Sequence, residues 1–147
     1  MKLFLPVRRA TLLIPSGPVQ DPTRKHLFIL LTDPRPDDRL TLLVSISSVN
    51  PRIHHDGTCL LFVGDHTFIK RDSYVNFAQA RIESVDKLEA GVREGILVPQ
   101  GTIKGDVFAR ICRGLMESRF TPQKAKRFYE ELYPNAIKLS VTGAVCD

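Results

Sequence analysis

The apolar residues of this 147-residue chain change their spacing once, near residue 83, and that change limits the folds open to it. Before it, short apolar or alternating runs are cut by turn residues, as in β-strands. After it, apolar residues recur every three or four positions, as on one face of a helix. The first run, Thr11-Leu12-Leu13-Ile14, is closed by Pro15-Ser16-Gly17-Pro18, which cannot continue a ladder. His26–Thr32 is nearly continuous in apolar residues and suits a strand buried on both faces. A turn rich in Pro and Asp, Asp33–Asp38, leads to Leu40–Ser48, in which Ser45 and Ser47 share one face and Val44 and Ile46 the other. Thr58–Val63 and Ser73–Ile82 complete five expected strands.

Three helices are expected to follow. Ser84–Glu94 carries Val85, Leu88 and Val92, and Asp106–Ser118 carries Phe108, Ile111, Cys112 and Leu115 in one stripe. Thr121-Pro122 offers a capping hydroxyl and a proline at the first helical position, and Ala125, Phe128, Tyr129 and Leu132 continue the stripe until Pro134. The expected class is α+β, mainly β with C-terminal helices. It is a single domain over 1–147, with a small bent sheet or barrel over residues 7–98 closed by a helical part over 104–134.

Composition narrows the function classes. The chain is 43% hydrophobic and 25% charged, as in an ordinary soluble globule, and no apolar run nears the ~18 residues of a membrane span. The N-terminus lacks the apolar length and small-residue site of a signal peptide, so a cytoplasmic protein with no membrane association is expected. Cys59, Cys112 and Cys146 are odd in number and without CxxC spacing, which argues against a disulfide framework or a zinc site. Neither a metal-ligand spacing nor a nucleotide-binding glycine loop occurs, so no cofactor and no metal are expected. The net charge is +5, concentrated at the two ends, and two basic segments meeting in the fold suit an anionic partner.

The block Val63–Val75 concentrates reactive side chains: Asp65, His66, Lys70, Arg71, Ser73 and Tyr74. These types serve proton transfer, anion binding and hydroxyl donation, although a solvated hairpin tip uses the same residues. His66 follows Asp65, a carboxylate able to orient or charge an imidazole. Arg24 and Lys25 suit a phosphate, and Ser47 and Ser73 are possible hydroxyl donors or local hydrogen bonders. His54 and His55 fall in an expected open loop, with His55 a substrate contact or a solvated side chain. Tyr74 suits base stacking or a half-buried cross-strand position. A Ser-His-Asp hydrolase from Ser73, His66 and Asp65 has no nucleophile elbow to support it.

With the strands in this order, the chain resembles the PemK/MazF-like toxins, small SH3-like barrels that cleave RNA. The resembling residues are Val7-Arg8-Arg9 before the first strand with Gly17-Pro18 after it, the basic Arg24-Lys25-His26 entering the second strand, and Val44-Ser45-Ile46-Ser47-Ser48. Either Arg24 or His26 stands for the family's basic residue, and Ser47 falls where a catalytic Thr often stands. The resemblance implies a metal-independent endoribonuclease acting on single-stranded RNA, a homodimer restrained by a cognate antitoxin. For that activity the residues expected to be catalytic are His66 and Asp65, from the polar block, with His26 and Ser47, from the resemblance; Arg24, Lys25, His55, Lys70, Arg71, Ser73 and Tyr74 are expected to bind substrate. A non-catalytic SH3-like barrel that binds nucleic acid or a protein is the alternative. In either case Asp65–Tyr74, Arg24–His26 and Ser47 are expected to converge on one concave surface.

Overall fold

The structure, a computed structural model, describes residues 3–135; Cys146 lies outside the described residues. Six strands and three helices occur among the described residues: β1 (Ala10–Pro15), β2 (Lys25–Leu30), β3 (Leu40–Ser48), β4 (Leu60–Leu61), β5 (Ser73–Ser84), α1 (Val85–Arg93), β6 (Val98–Thr102), α2 (Gly105–Glu117) and α3 (Gln123–Leu132). The strands form one antiparallel sheet in the order β4-β5-β3-β2-β1-β6, curled into a half-barrel. This is the α+β class expected from the change of period.

Three elements depart from the sequence reading for local physical reasons. β4 spans two residues rather than six, because Asp65 Oδ2 accepts the Phe62 N–H at 2.9 Å and Asp65 N–H returns to Phe62 O at 3.0 Å, turning the chain out of the ladder. β6 was not expected, since Val98-Pro99-Gln100-Gly101-Thr102 holds both Pro and Gly. It pairs with β1 alone, and an edge strand tolerates a residue without a free N–H. At α3 the cap is Pro122 and not Thr121, whose buried hydroxyl has no hydrogen-bond partner. By contrast, Ser84 caps α1 by accepting the Lys87 N–H.

The two faces of the sheet are covered differently. Directly paired residues such as Leu27 and Ile46, or Ile29 and Val44, point to the same side. There they join Leu42, Val75 and Phe77 in the main core, against Phe108, Ile111 and Leu115 of α2 and Ala125, Phe128 and Tyr129 of α3. Gly114 lets α2 approach closely, since a Cβ there would press on the Phe77 ring. The opposite face is apolar only at one end, where Leu12, Phe28, Leu30 and Leu43 pack under Leu88 of α1. Its other end stays polar.

Arg8, just before β1, fastens the helices to the sheet. Its guanidinium donates to Leu31 O at 3.0 Å and to the Tyr129 hydroxyl at 2.8 Å, and lies 4.1 Å from the centre of the Tyr133 ring. Among the described residues, no helix is long and apolar enough to cross a membrane. The two described cysteines, Cys59 and Cys112, are buried, and burial pushes the Cys59 thiol up to about 11, which leaves it a packing group.

Leu115 is fully buried between α2 and the sheet. Leu115→Ala should lower unfolding stability by about 2–5 kcal/mol, read as an earlier urea midpoint with an unchanged slope.

Candidate functional site

A cavity of about 230 Å³ opens at the end of the sheet where β2 begins and β5 begins. Its charged lining comes from two separate segments, Arg24, Lys25 and His26 on one side and Lys70 and Arg71 on the other. Ser48 and Ser73, directly paired across β3 and β5, complete the polar part, and Leu27, Ile46 and Ile69 make an apolar floor. The basic surface therefore joins the N-terminal basic segment to the middle of the chain. The C-terminal cations Lys124 and Arg127 border a different hollow, near Arg35.

Each side of the cavity is built by its own loop. On the first side, Ser16 N–H donates to Arg24 O at 2.8 Å and Arg24 N–H to Asp21 O at 3.2 Å, folding residues 16–24 back on themselves. Gly17 is required there, because a Cβ would run into Asp21 O and the Arg24 side chain. On the second side, Ile69 is buried and its N–H donates to His66 O at 3.0 Å, which sets Lys70 and Arg71 at the rim.

His26 is the imidazole that lines the cavity. The Ser16 hydroxyl donates to Ile14 O at 3.1 Å, so toward His26 Nδ1, 2.8 Å away, it is left to accept. That arrangement places the ring proton on Nδ1 and leaves the Nε2 lone pair available. Burial, reinforced by the Arg24 charge, lowers the His26 pKa from its ordinary 6.5 and keeps the ring neutral near neutral pH. Such a ring is suited to accept a proton.

His66 and Asp65 stand apart from that cavity, and the expected pairing of the two is replaced by other bonds. Asp65 Oδ2 accepts from Phe62 N and from Arg110 of α2, at 3.1 Å. His66 is buried, 7% exposed, and both of its nitrogens are engaged. Nδ1 accepts the Phe68 N–H at 3.0 Å, which assigns the ring proton to Nε2. Nε2 donates to Gln100 O of β6 at 3.0 Å and lies 3.3 Å from the Thr11 hydroxyl of β1, which itself donates to Gly101 O. The His66 ring thus ties the loop after β4 to the opposite edge of the sheet.

The remaining expected residues divide by the face they occupy. Ser73 and the two cations Lys70 and Arg71 share the cavity with Arg24–His26. Ser47 lies on the polar face of the sheet, bordering a second hollow that also reaches His26. Tyr74, directly opposite Ser47, packs its ring against His55 at 5.1 Å. The loop carrying His54 and His55 is held by Asp56. Burial would raise the Asp56 pKa, but bonds from Ser118, at 2.6 Å, and from Thr58 lower it overall. Sequence reasoning passed over Ser16, which orients His26, because a lone serine between two turn residues has no signature of its own.

No protein-family model matches this sequence, and comparison with curated proteins finds no match. Among the described residues, no cluster of three or more His, Cys, Asp or Glu is arranged to hold a metal ion.

Burial lowers the His66 pKa below its ordinary 6.5, the Gln100 hydrogen bond opposing it only in part. The unfolded chain then binds that proton more readily, so this contribution to stability is complete above about 6.5 and is lost as pH falls through the lowered value. Denaturation of wild type between about pH 7 and 5 should show a steeper loss than His66→Gln, which keeps a donor without titrating. Parallel pH profiles for the two proteins would show that the ring does not carry the effect.

Proposed function

We propose that this chain is a metal-independent endoribonuclease acting on single-stranded RNA, with an SH3-like barrel of the PemK/MazF-like kind restrained by a cognate antitoxin. The observation that carries the reading is the convergence of Arg24, Lys25, Lys70 and Arg71 on one small cavity with the neutral His26 at its wall. Four cations around a cavity of this size favour a phosphate, and arginine can grip one through two donors.

The proposed chemistry is transesterification within the RNA. His26 Nε2 takes the proton of the ribose 2′-hydroxyl, and the 2′-oxygen forms a bond to phosphorus. Arg24 and Arg71 stabilise the charge on the crowded phosphorane. The bond from phosphorus to the 5′-oxygen breaks, and a cavity ammonium, Lys25 or Lys70, supplies the proton to the leaving oxygen. The products are a 2′,3′-cyclic phosphate and a free 5′-hydroxyl. Ser48 serves as a neutral donor beside the cations, whereas the buried Ser73 hydroxyl donates to Arg71 O at 2.8 Å and holds the loop that carries Lys70 and Arg71. In this reading His66 and Asp65 hold the loop that carries Lys70 and Arg71, and the proton carrier is His26.

The antitoxin in this proposal covers the cavity from the side of Phe68, a lining residue that is exposed. The homodimer and a cytoplasmic site of action belong to the same reading. One observation favours the second reading, a non-catalytic barrel that binds nucleic acid: His26 is the single histidine among the residues lining the cavity, so proton donation has no second imidazole.

Incubation of purified protein with single-stranded RNA in EDTA separates the two. Fragments ending in 2′,3′-cyclic phosphate are expected, with His26→Ala slower by about 10²–10⁴-fold. On the acid side the wild-type rate should hold down to pH 6.5 and fall below it, as the lowered His26 pKa is crossed and the base is protonated. Arg24→Ala should weaken binding and reduce its salt dependence by about one phosphate contact. Intact RNA that is bound with the same Arg24 dependence would leave the binding module standing and remove the nuclease.

A further inference from the structure

The polar end of the outer sheet face holds a second hollow, of about 450 Å³, that meets the basic cavity at His26. We propose that it is a subsite for one nucleobase flanking the bound phosphate, and that it selects a keto base, guanine foremost. The proposal rests on the reading of the basic cavity as an RNA phosphate site and adds what chooses the sequence.

One wall of the hollow, Asn76, Gln79 and Arg81, comes from a bulge in β5. Ser45 pairs with Asn76 and Leu43 with Arg81, so four residues of β5, numbers 77–80, oppose the single Val44 of β3. An interruption of that size breaks the alternation of faces. Asn76 and Arg81, five positions apart, therefore both lie on the polar face, with Gln79 between them. Bulges re-aim side chains in this manner beside functional sites.

Arg81 is the principal reading group. Its guanidinium lies 4.7 Å from the centre of the Phe28 ring, and its Nε is buried, 3.5 Å from a Glu83 carboxylate oxygen, without meeting hydrogen-bond geometry. Those contacts hold the guanidinium while its side chain stays 41% exposed, and no hydrogen-bond acceptor engages its terminal nitrogens among the described residues. A fixed fork of donors matches the O6 and N7 acceptors of guanine, whereas adenine presents an amino donor at the corresponding place. The amides of Asn76 and Gln79 supply acceptors for the N–H groups of the same base. The hollow falls within the size range of small-molecule sites and exceeds what a single base requires, leaving room for its ribose.

The test measures binding of short uridine-free RNA oligomers by fluorescence anisotropy, using cytidine-rich strands that carry one central guanine or one central adenine, with His26→Ala protein to prevent cleavage. The guanine oligomer should bind about 10-fold or more tightly than the adenine oligomer, within the range of one bidentate contact. Arg81→Lys keeps the charge and loses the fork, so the preference should collapse toward unity while affinity for the adenine oligomer persists. Gln79→Ala, at an exposed bulge position, should reduce the preference in a protein with unchanged thermal unfolding. Equal, salt-dependent binding of both oligomers would overturn the base subsite and leave the phosphate reading intact. No salt-dependent binding of either would overturn both.

Discussion

A curled sheet that does not close on itself leaves two edges whose backbone groups and flanking loops need partners. Here the edges are β4 on one side and β6 on the other, and the His66 imidazole spans the gap between them. It is anchored in its own loop by the Phe68 N–H and reaches Gln100 on β6 and Thr11 on β1. Lys104 adds a bond to Gly64 O nearby, and Arg110 grips Leu60 O and Asp65. Buried polar groups satisfied on every side specify one arrangement more sharply than apolar contacts do. This latch fixes the curl of the sheet, and the curl fixes where Lys70 and Arg71 lie.

The same latch explains why a conspicuous residue is not on the cavity wall. An imidazole beside a carboxylate in a polar block invites a catalytic reading, yet both its nitrogens are committed and burial keeps it neutral. His26, at the start of an apolar strand, looks less remarkable in sequence. It has what a base requires, a hydroxyl partner at Nδ1 and an available Nε2 beside a cluster of cations. A reactive residue type is common; a reactive residue with one side left open is what a cavity selects.

The uneven covering of the sheet separates stability from the candidate site. One face meets α2 and α3 along a continuous apolar stripe, and the other meets α1 only at one end. The polar end of that second face is open because Ser45, Ser47 and Asn76 stand where apolar residues would otherwise extend the core. Changes in the covered face should act on folding, and changes in the polar end on ligands.

The sequence by itself determined the elements with strong local signals. The continuous apolar run of β2, the alternation of β3 and the helical stripes of α2 and α3 are set by backbone periodicity and the need to bury one face, and the structure places them within a residue or two of expectation. The basic character of Arg24-Lys25 and Lys70-Arg71 was equally plain. Their meeting was not, because two segments 45 positions apart are joined only when β2 and β5 flank β3 in one curled sheet. Nor could spacing assign the protons of His26 and His66, which depend on Ser16, Phe68 and Gln100 arriving from elsewhere in the chain. β6 was hidden by its Pro and Gly, residues that only an edge position excuses. Local pattern decides what a segment becomes; only long-range pairing decides which side chains share water, charge and a cavity.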